Sequence, residues 1–126
     1  MFNVVVTRAL NEHGYLNNFI SHYLNLGFKF IFIFIEEGQQ DYHINRENVI
    51  FIEHKKKGNS IIELIPSFLK NLNLADFKLL KGNKIDWVLH VDIDEFLFLS
   101  DNMKIDDYIK KFYRPNIGQF MFTWAM

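Results

Sequence analysis

The chain has 126 residues, 49% of them apolar and 23% charged, which suits one compact domain burying roughly two-thirds of the surface its unfolded form exposes and excludes disordered and fibrous classes. With 14 basic against 15 acidic residues the formal net charge is −1, so no global field draws the chain onto nucleic acid or an anionic membrane. Cysteine is absent, which excludes disulfides, thiolate zinc sites and cysteine nucleophiles and leaves oxygen and imidazole as the only metal ligands.

Asn3 to Thr7 is a short β-branched apolar run and reads as a strand. No basic stretch, apolar core and cleavage site precede it, so a soluble, cytoplasmic protein is expected. Leu16, Phe19, Ile20, Tyr23, Leu24 and Leu26 then recur at helical spacing, with Asn11 as N-cap, Glu12 in the first turn and Gly27 where a left-handed residue ends a helix. Phe28 to Ile35 forms a second strand, and its unbroken apolar stretch from Phe30 is far short of the roughly 20 residues of a membrane helix. Glu36-Glu37-Gly38-Gln39-Gln40-Asp41 makes a polar turn, and Asn48 to Glu53 a third strand.

Lys55-Lys56-Lys57-Gly58-Asn59-Ser60 reads as a solvated basic loop in preference to a phosphate site. From Ile61 to Leu80 the apolar positions Ile62, Ile65, Leu69 and Leu72 are spaced for a helix, with a break near Pro66. Ile85 to Val91 is a fourth strand, Ile105 to Tyr113 a helix ending before Pro115, and Ile117 to Trp124 a last apolar strand. Strands alternating with helices predict an α/β fold: a Rossmann-like, mainly parallel sheet with helices on both faces, formed by residues 1–126 as a single domain.

The most informative residues are His90-Val91-Asp92-Ile93-Asp94-Glu95-Phe96, where an apolar strand ends in three acids within four positions. Strand alternation puts Asp92 and Asp94 on one side, where two neighbouring carboxylates repel and raise each other's pKa. A divalent cation removes that conflict, because Mg²⁺ or Mn²⁺ takes one or two carboxylates together with substrate phosphates. In open parallel sheets ligands bind beyond the carboxyl ends of the strands, where strand order reverses. A strand order of 3-2-1-4 opens that crevice between the first and fourth strands, with Thr7, Arg8, Asn11 and Glu12 across from Asp92 and Asp94 and the turn around Asp41 on the same rim. The bland alternative is an acidic, solvated loop. Haloacid-dehalogenase-like phosphatases also place two aspartates after an apolar strand, but Glu95 and Phe96 follow here in place of their Gly and Thr.

Two stretches together resemble glycosyltransferase family 92 and related family-2-like proteins. They are Asn11-Glu12, Leu16, Phe19-Ile20, His22-Tyr23 and Leu26-Gly27 with the following strand, and Trp87-Val88-Leu89-His90-Val91-Asp92-Ile93-Asp94-Glu95-Phe96-Leu97. The likeness spans residues 3 to 98, with Phe122-Thr123-Trp124 similar to the start of a later strand. It implies a GT-A fold binding a nucleotide-sugar, a UDP-sugar, with Mn²⁺ or Mg²⁺ bridging the diphosphate, and transfer of the sugar to a hydroxyl acceptor. Carried over by position, Asp92 and Asp94 hold the metal and the ribose–diphosphate, Asn11 and Glu12 line the nucleotide end, and Glu37 or Asp41 is the acid contacting the nucleoside. Glu95 has no assigned role.

Such domains continue well past the position of Met126 into an acceptor-binding part, so a truncated or split enzyme is expected, with a partner chain or dimer covering the carboxyl-terminal edge. The other reading is a noncatalytic remnant acting as a nucleotide-binding or partner-interaction module. No residue between Leu97 and Met126 matches a catalytic base; Asp106 and Asp107 read as first-turn acids of a helix. His90 shares the parity of Asp92 and Asp94 and is expected to be a buried, hydrogen-bonded histidine, His22 is expected to be structural, and His13, His43 and His54 lack metal-ligand spacing.

Overall fold

Four short apolar runs pair side by side as β1 (Asn3–Arg8), β2 (Phe30–Glu36), β3 (Val49–His54) and β4 (Trp87–His90), with α1 (His13–Asn25) and α2 (Ile105–Phe112) as the α-helices among the residues described and a single 3-10 turn at Ser100–Asn102 before α2. The computed structural model describes residues 1–9, 13–36, 46–54 and 85–116. The helix expected within 61–80, the basic loop at 55–60, the turn over 37–41 and the strand expected over 117–124 lie outside them.

The sheet runs in the order β3-β2-β1-β4, and every pairing is parallel, with Val4 opposite Phe30 and Val88 and Val6 opposite Phe32 and His90. This is the α/β arrangement expected from the alternation of strands and helices. β2 shows why the strands read as continuous apolar runs: Ile31 and Ile33 face one layer while Phe32 and Phe34 face the other, and all four are buried. A sheet covered on both sides needs apolar residues at both parities.

The first face carries Val5, Ile31, Ile33 and Val49 against Leu16, Phe19, Ile20 and Tyr23 of α1 and Ile105 and Ile109 of α2. Both described α-helices thus lie on this face, whereas helices were expected on both; the helix expected within 61–80 lies outside the described residues. The second face gathers Val4, Val6, Phe32 and Phe34 into a separate cluster.

The end of α1 follows from Gly27, whose φ of +102° lies where L side chains are strained. Phe28 N–H reaches the Tyr23 carbonyl at 3.2 Å and Gly27 N–H the Leu24 carbonyl at 3.1 Å, the paired bonds of a Schellman cap, with Phe28 packed on Tyr23 at 5.7 Å between ring centroids. The next two carbonyls are taken by the start of α2: Ile105 N–H donates to Leu26 at 2.7 Å, and the Lys104 ammonium donates to Asn25. Asp106 and Asp107 fill the first turn of α2 and Lys110 and Lys111 its last, each sign at the end its helix dipole favours.

Candidate functional site

β1 is the strand from which the chain steps one way to β2 and β3 and the other way to β4, so the reversal of strand order lies between β1 and β4. The pairing ends with Val6 opposite His90, and one further bond from Val91 N–H to the Val6 carbonyl at 3.2 Å carries β4 to the start of the acids. Beyond Val91 the backbone turns. Glu95 N–H donates to the Asp92 carbonyl at 3.0 Å, and Asp92 N–H donates to Glu95 Oε1 at 2.7 Å.

Within this turn Ile93 is buried in the α1-side core while Asp92 and Asp94 are exposed. β4 ends at His90, so strand alternation does not extend to the two aspartates, which are both exposed on the turn that follows. No ion pair among the described residues engages either carboxylate. Among these same residues no group of three or more His, Asp or Glu side chains is placed to hold a metal ion. The two aspartates are hard-oxygen donors of the kind Mg²⁺ or Mn²⁺ takes only together with phosphates and water.

The segment after the turn is strapped to α1. The Tyr23 hydroxyl donates to the Glu95 carbonyl at 2.7 Å and accepts Leu97 N–H at 3.1 Å, while His22 Nε2 donates to the Leu97 carbonyl at 2.7 Å. Phe96 sits among Phe19, His22 and Tyr23, with centroid separations of 6.1, 5.2 and 6.5 Å. Burial pushes the Tyr23 phenol up to about 12, the Leu97 N–H opposing the shift and the Glu95 charge adding to it.

Arg8 and Thr7 end β1 at this edge but belong to opposite faces. Arg8 shares the parity of Val6 and His90. Thr7 shares that of Val5; it is 0% exposed and its hydroxyl has no hydrogen-bond partner, so an incoming ligand does not reach it in this conformation. Asn11, Glu12, Glu37 and Asp41 lie outside the described residues.

His90 is exposed, not buried as expected. Alternation assigns it to the same side as Val88, and on β4 that side is open, Val88 itself being 39% exposed. His22 is structural, as expected. Asp106 is remote from the acids: it accepts the Asn3 amide at 2.7 Å, at the opposite end of β1.

Two features escaped the sequence reading. The spacing Asp92-x-x-Glu95 is a capping-box pattern and could have signalled the turn. The strap from Tyr23 has no such signal, because Tyr23 falls on the apolar stripe of α1. No helix among the described residues is long and apolar enough to cross a membrane. No family model, curated protein or solved structure matches the chain.

Proposed function

We propose that this chain is a nucleotide-sugar-binding domain of a metal-dependent glycosyltransferase, taking a UDP-sugar as donor and a hydroxyl compound as acceptor. The observation that carries the reading is the pair of exposed aspartates on one turn at the carboxyl end of β4, beside β1, where strand order reverses. Asp92 and Asp94 would hold Mn²⁺ or Mg²⁺ together with the diphosphate, and such an ion supplies Lewis-acid stabilisation of the departing diphosphate. The turn holds the backbone of both aspartates at this edge, and Arg8 ends β1 beside it. The resemblance of residues 3 to 98 to family-92 and family-2-like enzymes supports the choice of donor.

The test is a titration of the pure protein with UDP and Mn²⁺ during denaturant unfolding. Ligand at about 100 times its dissociation constant adds roughly 2.7 kcal/mol of stability. The Asp92→Asn/Asp94→Asn variant should fold as well as the parent, both positions being exposed, and lose that increment. No increment, or an equal one in the variant, overturns the reading. Binding without sugar transfer or hydrolysis would identify a noncatalytic module.

A further inference from the structure

We propose that Glu95 is the positioning residue of this site: it locks the turn that presents Asp92 and Asp94, and it is not itself a metal ligand. The inference rests on the nucleotide reading above. Its basis is the reciprocal pair of bonds between two residues three apart, Asp92 N–H to Glu95 Oε1 at 2.7 Å and Glu95 N–H to the Asp92 carbonyl at 3.0 Å. In a capping box the side chain of the first residue accepts the later N–H. Here the Asp92 carbonyl accepts it, which releases the Asp92 carboxylate from that duty and leaves it outward.

Glu95 is differently placed from the two aspartates. It is half-buried, one carboxylate oxygen is committed to the Asp92 amide, and its own carbonyl is held by Tyr23. The turn is fixed between the aspartates by Ile93 in the core and after them by the bonds from Tyr23 and His22 to residues 95 and 97. Anchors between and after the two exposed aspartates hold the backbone of the turn without using either carboxylate. Groups that orient metal ligands without touching the ion still change its affinity, by about 10–100-fold when they are removed.

Glu95→Gln separates the two roles, because an amide oxygen still accepts the Asp92 N–H but is a poor substitute for a ligating carboxylate. The first measurement is amide hydrogen exchange in the ligand-free protein. Asp92 N–H should be protected in the parent and in Glu95→Gln, and exchange freely in Glu95→Ala. The second is Mn²⁺·UDP affinity, which should stay within a few-fold of the parent in Glu95→Gln and fall about 10–100-fold in Glu95→Ala. The proposal is overturned if Glu95→Gln loses affinity as severely as Glu95→Ala while its Asp92 amide stays protected, since that marks a direct ligand. It is equally overturned if Glu95→Ala keeps parental affinity, or if the Asp92 amide exchanges alike in all three proteins. Failure of the parent itself to bind Mn²⁺·UDP sinks the nucleotide reading and, with it, a site for Glu95 to position; the exchange measurement then reports only whether the turn lock exists.

Discussion

Leu97 and Tyr23 lie 74 positions apart and are joined by a hydrogen bond of 3.1 Å from the Leu97 amide to the phenolic oxygen. The same oxygen donates its proton to the Glu95 carbonyl, so one side chain satisfies two backbone groups of a segment that has no regular structure of its own. Tyr23→Phe removes both partners while keeping the ring packing. We expect a loss of about 1–3 kcal/mol in urea unfolding, together with faster exchange of the Leu97 amide. A loss below about 0.5 kcal/mol would mean that water replaces the hydroxyl at no cost.

The same phenol gives stability an alkaline limb. Its folded pKa is about 12 against a reference value of 10.0, so the unfolded chain releases this proton first as pH rises. The contribution is fully present below pH 10 and is lost between there and pH 12, reaching about 2–3 kcal/mol in total. Denaturant midpoints measured across that range should fall in the parent and be flatter in Tyr23→Phe.

Gly27→Ala isolates the backbone requirement at the end of α1. An added Cβ meets Ile105 Cγ2 at 3.6 Å and Lys104 Cβ at 3.7 Å, ordinary contact distances, so the cost comes from φ at +102°. A destabilisation of about 1–2 kcal/mol is expected. A neutral result would show that the junction of α1 with α2 rearranges without penalty.

Thr7→Val replaces a buried hydroxyl that has no partner with a methyl group of similar size. Stability should be unchanged or raised by about 1 kcal/mol, and UDP affinity should not move. A marked drop in affinity would show that Thr7 reaches the ligand after all.

The strands, the left-handed glycine and the acids at the end of β4 were legible because each depends on local pattern: apolar runs, a turn residue, an abrupt change of polarity. Boundaries were less so. Phe28, expected to start a strand, serves instead in the cap of α1 by packing on Tyr23. The fourth strand, expected from Ile85, begins at Trp87; just before it, Asp86 exchanges backbone and side-chain bonds with Phe2. His90 shows the limit of alternation, which assigns a side of the sheet but not whether that side is covered. The strap from His22 and Tyr23 joins side chains to distant backbone, and contacts of that kind leave no period in the chain.

The central position of β1 also has a kinetic consequence. Of the four described strands β1 is made before the others, yet its neighbour β4 begins only at Trp87, so one edge of β1 stays open until the intervening segment has been synthesised. An unpaired apolar edge invites pairing with other chains, and closing so distant a contact is slow. Nascent or partly denatured molecules should therefore self-associate through β1, and chaperone demand during synthesis should ease once β4 has emerged.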